Sequence, residues 1–321
     1  MVYVLTEPTS NLVDVKFEAK DNGDVITRTY TNVPVQRNYR TNIYGNILTE
    51  EANFTIEIKP GFQTPANDYA VPEPGTAMVN GVQYATLQAA VNAAAASGTE
   101  VNVTVGAGSY TLPMPSTATG VSLSVSGQGD ASEIVVNGTY GTSSPGRVTS
   151  VAISNAKLTL PQADSNSIYN GFGHATVELN GVTVNNMIAT YGNFKATDCT
   201  FNGTLSYAVH VYGSGTVEFN KCAFTSQTGK GVFAYGEHSE ENNMIFTDCT
   251  FTSTTVRADK APVQMHTELG THGTLTMTNC SATGFGDPRG NGLWNELNNG
   301  TGVATTKFTI TIGGAVVQTA H

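Results

Sequence analysis

Between Thr176 and Gly284 one short pattern is written five times, and no other feature constrains the fold as tightly. The copies are Thr-Val-Glu-Leu-Asn-Gly-Val-Thr-Val (176–184), Asn-Phe-Lys-Ala-Thr-Asp-Cys-Thr-Phe (193–201) and Thr-Val-Glu-Phe-Asn-Lys-Cys-Ala-Phe (216–224), followed by Asn-Met-Ile-Phe-Thr-Asp-Cys-Thr-Phe (243–251) and Thr-Leu-Thr-Met-Thr-Asn-Cys-Ser-Ala (274–282). Each alternates apolar with polar residues, turns at Asn or Asp, and resumes with a second apolar position. Strand, turn and strand, recurring every few tens of residues, is the pattern of a solenoid. All four cysteines, Cys199, Cys222, Cys249 and Cys280, fill one slot of the repeat, with Val182 and Ala156 in the same slot of two earlier copies. Successive slots lie 26, 17, 23, 27 and 31 residues apart. A rigid repeat does not tolerate such variation. A parallel β-helix does, because its strands stack at about 4.8 Å while the loops between them swell outward.

Stacking has two further consequences. The Cys slot becomes a ladder of small apolar side chains inside the tube. Asn155, Asn180, Asp198, Asn220, Asp248 and Asn279, just before that slot or one residue earlier, become a second ladder at the bend, since Asn and Asp tolerate left-handed dihedrals. Ligands supplied one per coil along a line do not enclose a tetrahedral ion and no Cys-x-x-Cys occurs, so no metal is expected. A disulfide such as Cys222–Cys249 stays open, because neighbouring rungs fall near bonding distance. Glu178, Lys195 and Glu218 share a strand position and read as an outward charged ladder.

Upstream, Thr86 is placed to cap a helix whose apolar face is Leu87, Ala90, Val91 and Ala94, and Gly98 stops it. The strand–glycine–strand run Val101–Leu112 follows at once. This helix-then-strand start resembles the amino-terminal cap of pectin-lyase-like right-handed β-helices. Leu123-Ser124-Val125-Ser126-Gly127-Gln128-Gly129 strengthens the likeness, which spans about residues 79–312, with Lys307–Ile312 as the last coil. The expected class is therefore all-β: a right-handed parallel β-helix over 79–321, capped by a helix near 86–97. A Pro-rich linker occupies 63–78, with Pro65, Pro72 and Pro74. Residues 1–62 read as antiparallel strands, with a hairpin turn at Asp21-Asn22-Gly23-Asp24. Within them Val33–Thr49 resembles the closing segment of fimbrillin-like β-sandwich lipoproteins of Bacteroidales, over roughly residues 30–62. That likeness implies an extracellular, cell-surface setting. A sandwich needs about 100 residues, and the chain shows no secretory leader, so the expectation is that its natural upstream part is missing. Arg37, Arg40 and Tyr44 read as braces of this segment or as a ligand contact.

The formal charge of −10 argues against nucleic acid or an anionic membrane as partner, and no apolar run is long enough to span a bilayer. The pectin-lyase likeness implies a polysaccharide-handling fold, but fold does not fix function. Polygalacturonase relatives carry a Gly-His-Gly motif with paired aspartates, and the nearest fragment here, Gly270-Thr271-His272-Gly273, lacks them. The polar spacers hold the remaining candidates. Arg257, Asp259, Lys260, His266 and Glu268 are the catalytic candidates, with carboxylates as acid and base or Arg257 or Lys260 as a lyase base, for which the likeness implies calcium. Otherwise no cofactor is expected. Tyr235, Glu237, His238 and Trp294 are candidate ligand contacts, with Trp294 the first aromatic expected to be exposed. The reading favoured is an extracellular glycan-binding or adhesin-type module, with polysaccharide or other surface proteins as partners. A lyase or glycoside hydrolase and a purely structural stalk are the alternatives.

Overall fold

The computed structural model describes residues 11–21, 24–35, 39–44, 55–60, 72–137, 148–161, 171–173, 175–235, 240–298 and 300–321. They fall into two compact units, 1–70 and 71–321.

In the first unit Asn11–Asp21 pairs antiparallel with Asp24–Val35, with Asp21 opposite Asp24 across the expected turn and a bulge between Val13 and Val15. Tyr39–Tyr44 pairs antiparallel with Thr55–Pro60. Tyr30 and Val33 are buried, whereas Leu12, Phe17 and Val25 are exposed. Arg37 and the side chains of Arg40 and Tyr44 lie outside what the structure describes.

The second unit is the solenoid. Its start is closed by the helix Leu87–Ala95, capped by Thr86, whose hydroxyl accepts from the Ala89 amide. Leu87, Ala90 and Val91 are the helix residues that enter the core. Ala77–Val79, within the stretch read as linker, pairs antiparallel with Glu100–Val105 and belongs to this unit. An open first coil would expose a strand edge and an apolar lumen, and the helix and the hairpin of Ala77–Val79 with Val82–Tyr84 cover both.

Three parallel faces then wind past one another. The first carries Thr176–Asn180, Phe194–Thr197, Gly215–Asn220, Glu241–Thr247, His272–Thr278 and Phe308–Ile312. The second carries Thr183–Asn185, Thr200–Gly203, Ala223–Ser226, Thr250–Ser253 and Ser281–Thr283. The third carries Ile188–Thr190, Val209–Val211, Val232–Ala234, Val263–His266 and Trp294–Leu297. Period-two alternation sends every second side chain inward. Phe201, Phe224 and Phe251 stack in register at centroid distances of 5.1 and 4.7 Å. Phe219 and Phe246 stack at 4.9 Å. These rings make the tube a packed core.

The Cys slot is inward, as its small apolar character required. Cys199, Cys222 and Cys249 are buried, Cys280 is half-buried, and all four are free thiols. Hydrogen bonds to Cys199 and Cys249, together with burial, push the Cys222 thiol up, so it stays protonated and packs as a small hydrophobe.

The bend ladder differs from expectation at two rungs. The left-handed residue is always the one immediately before the Cys slot: Asn155, Gly181, Asp198, Lys221, Asp248 and Asn279, with φ between 48° and 60°. Asn180 and Asn220 therefore end their strands and do not belong to this ladder. Gly181 takes one rung because glycine has no Cβ to clash. Lys221 takes the other without that relief. Asn279 Nδ2 donates to Asp248 Oδ1 at 3.1 Å, a bond along the ladder. Glu178, Lys195 and Glu218 are in register as an outward row.

The last coil is sealed from within. The next-to-last residue of Trp294–Leu297 is Glu296, buried and pointing inward. Its carboxylate accepts from the backbone amides of Lys307 and Phe308, from Thr305 Oγ1 at 2.6 Å and from Gln318 Nε2 at 2.5 Å. Ala315–Gln318 then turns back antiparallel on Phe308–Ile312, a terminal hairpin that the repeat pattern did not foretell.

Candidate functional site

The outer side of the third face is where the chain concentrates polar and aromatic groups. With Val209, Val211, Val232, Ala234, Val263 and Met265 turned into the core, the outward register row reads Ala189, His210, Phe233, Gln264 and Asn295. Tyr212, Tyr235 and His266 follow two residues further along their strands.

Most of this row is roofed over. His210, Gln264, His266 and Asn295 are buried, while Phe233 and Tyr235 are half-buried. Tyr207, from the turn before the second of these strands, lies flat on Phe233 at 4.5 Å and 11°. Phe233 is parallel to Tyr235 at 5.7 Å and 11°. Tyr207 Oη donates to Gln264 Oε1 at 2.8 Å, and Gln264 Nε2 donates to the Asp259 carbonyl at 3.1 Å. Asn295 Nδ2 donates to Asp287 Oδ2 at 2.7 Å. Asp287 also accepts from the Arg289 amide and from its Nε, both at 3.0 Å, and from Nη2 at 2.6 Å. The amides of the row thus tie down the loops above them, through Gln264 to the Asp259 carbonyl and through Asn295 to Asp287.

Four cations gather at the edge of this layer. Lys230 Nζ lies 5.3 Å from the centre of the Tyr207 ring and Lys260 Nζ 6.0 Å from it. Lys260 Nζ is also 3.4 Å from Tyr207 Oη and 3.4 Å from Asp259 Oδ2. Arg257 Nη2 is 3.4 Å from the same carboxylate oxygen, and Arg289 is engaged by Asp287. Burial lowers the Lys230 ammonium below the usual lysine range, and the charges of Lys260 and Arg257 lower it further. Partial burial works to raise Asp259, but Lys260 and Arg257 outweigh it and hold the carboxyl low. At Asp287 burial is likewise outweighed, by hydrogen bonds from Arg289 and Asn295. Burial pushes the Tyr207 phenol up and drives His210 down to about 4.

Of the residues singled out in the sequence, the structure brings Arg257, Asp259 and Lys260 together beside Tyr207. It sets His266 on the same face, its ring 6.5 Å from Tyr235. Glu268 lies beyond the strand end, next to the loop at Gly300. Glu237 and His238 are outside the described residues. Trp294 is not the exposed ring anticipated: it is half-buried and packed against the core, under Gly290, where a Cβ would come within 2.7 Å of its ring. Tyr207, Lys230, His210, Gln264, Asp287, Arg289 and Asn295 were missed as site residues. One signal was there. His210 and Phe233 each lie 11 residues after their cysteines, and Gln264 and Asn295 each lie 15 after theirs.

The chemistry open to the face follows from its charges. Hydrolysis needs a carboxyl raised toward neutral pH as general acid, whereas Asp259 and Asp287 are both held ionised. A calcium ion wants six to eight oxygens. Asp287 spends its oxygens on Arg289 and Asn295, and among the described residues no group of three or more His, Cys, Asp or Glu could hold a metal. The face does not fit that ion. Nor is any helix among the described residues long and apolar enough to cross a membrane.

Comparison with known families bears on the two ends of the chain differently. A right-handed β-helix region matches residues 180–311, which with the parallel strands supports the right-handed β-helix and the pectin-lyase-like architecture. A family of unknown function matches residues 1–104, crossing the division between the units and lending no support to the fimbrillin-like reading. Neither a curated protein nor a solved structure gave a significant match.

Proposed function

We propose that this chain is a surface-associated glycan-binding module, and that the outer edge of the third face is its contact surface. The observation that carries the reading is the row of parallel rings, Tyr207, Phe233 and Tyr235, in which buried Tyr207 is locked by its hydrogen bond to Gln264 beside two lysines and Phe233 and Tyr235 are half-buried. Pre-ordered aromatics next to fixed polar groups suit a sugar, whose ring presents an apolar face and a rim of hydroxyls. Rigidity helps further, since ordering costs are met in folding and not on binding. The extracellular setting belongs to this proposal and rests on the sequence likeness. The test is retention of the protein on a panel of immobilised polysaccharides. Tyr235→Ala and Phe233→Ala should weaken retention about tenfold or more while leaving the circular dichroism of the solenoid unchanged. Equal retention of both variants and the parent chain would remove the third face from consideration.

A second reading, β-elimination at a uronate, is favoured by one observation: Lys230 beside Arg257 and Lys260 over Tyr207, with its ammonium lowered by burial and by those charges, the direction that makes a lysine a better general base. Incubation with polyuronates and a watch on the ultraviolet absorbance of unsaturated products decides it. Absorbance that appears with the parent chain and is lost in Lys230→Gln establishes the lyase, and no absorbance on any polyuronate dismisses it.

A further inference from the structure

The chain carries a formal charge of −10, yet at this place Lys230, Arg257, Lys260 and Arg289 gather with Asp259 and Asp287 as the carboxylates paired to them among the described residues. Two of the cations share Asp259 at 3.4 Å each, and Arg289 is matched to Asp287. Lys230 is left over. Among the described residues its Nζ has no carboxylate, carbonyl or amide within hydrogen-bonding reach, only the π-face of Tyr207. A half-buried ammonium crowded by like charges is costly to fold around, and an anion from outside would relieve that cost. We infer that Lys230, with Lys260 and Arg257 beside it over Tyr207, receives an oxyanion substituent of a saccharide chain, a carboxylate or a sulfate ester. The saccharide part rests on the glycan-binding reading above, whereas the anion part stands on the charges alone. The receiving groups favour no single anion shape, because Lys230 and Lys260 are point charges and both arginine forks already face carboxylates. The backbone of Lys230 is anchored, its amide donating to the buried Ser226 hydroxyl at 2.9 Å, which fixes where the flexible side chain starts.

The experiment pairs charged chains with their neutral parents: polygalacturonate against its full methyl ester, and dextran sulfate against dextran. Each is titrated into the full chain at low and physiological salt. In parallel, galacturonate and inorganic sulfate are added while the Lys230 side-chain resonance is followed through its titration. The expected result is that at least one charged chain binds ten- to a hundredfold more tightly than its parent and loses affinity as salt rises. Lys230→Gln should erase that preference and Lys230→Arg should restore most of it, and the anion should move the Lys230 titration upward. The carboxylated and sulfated arms tell which oxyanion is taken. If parents and charged chains bind alike and Lys230→Gln changes nothing, the anion inference is overturned and glycan binding stands. If no chain binds but free anions still shift Lys230, the anion site stands and the glycan reading falls. Should neither chains nor anions have any effect, both are refuted.

Discussion

His210 offers the sharpest test of the packing on the third face. Its ring is 4% exposed, set edge-on to Tyr212 at 5.3 Å and tilted against Phe233 at 5.1 Å. Burial disfavours the imidazolium, the Tyr235 carbonyl 3.2 Å from Nε2 partly offsets this, and His266 adds a small repulsion. The outcome is a folded-state value of about 4, against about 6.5 for a free histidine. The sign follows directly. The unfolded chain takes up a proton as pH falls through about 6.5, while the folded chain resists until about 4. Stability from this residue is therefore complete above that upper value and drains away between the two. At about 1.36 kcal/mol per unit, the loss amounts to about 3 kcal/mol. The paired carboxylates Glu133, Asp259 and Asp287, all held low, lose their contribution only below the ordinary carboxylate range, so the window belongs chiefly to histidine. His210→Phe gives the control, since a phenyl ring resembles the register neighbour Phe233 and cannot titrate. It loses one hydrogen bond, costing about 1 kcal/mol at neutral pH. Because solenoids open locally, the assay is hydrogen exchange of Val209–Val211 and Val232–Ala234 at pH 7 and pH 4.5, corrected for intrinsic rates. Protection in the parent chain should fall far more than in the variant. Parallel losses in the two would refute the assignment of a buried neutral His210.

Three further outcomes are expected. Glu296→Ala strips the acceptor from two backbone amides and from Thr305 and Gln318, and should loosen the last coil by about 2–4 kcal/mol, seen as exchange confined to Phe308–Ile312 and its neighbours. Lys221→Gly removes a Cβ from a residue at φ 53° and should raise the melting temperature slightly, the gain being about 0.5–1 kcal/mol; a fall would show that the position is unstrained. In the native state a small thiol reagent should modify Cys280 well before Cys199, Cys222 and Cys249, because only Cys280 is partly exposed. Equal rates would mean that the tube opens readily.

How far the sequence reaches depends on how a feature is encoded. The first two faces were legible because strand, bend and strand are contiguous, so the copies align without gaps and put the four cysteines on one slot. The cap was legible too, since Thr86 and the Leu87, Ala90, Val91 face carry local signals. The bend ladder was read one residue off at Asn180 and Asn220, where Gly181 and Lys221 hold the left-handed position. Asn beside a turn and Asn in it look alike in one dimension. The third face stayed hidden because its strands are only three or four residues long and sit behind loops of unequal length.

Sequence by itself therefore determined the solenoid, the inward sulfur ladder and the capped start, all of which follow from alternation and short-range spacing. Only the tertiary structure decided which spacer residues meet. Tyr207 and Gln264 are 57 residues apart in the chain and 2.8 Å apart in space, and Lys230 and Lys260 share one tyrosine ring from different coils. Each coil advances the chain by one strand spacing while consuming a variable number of residues. Distance along the sequence thus carries no information about proximity across the coils until the strands are stacked.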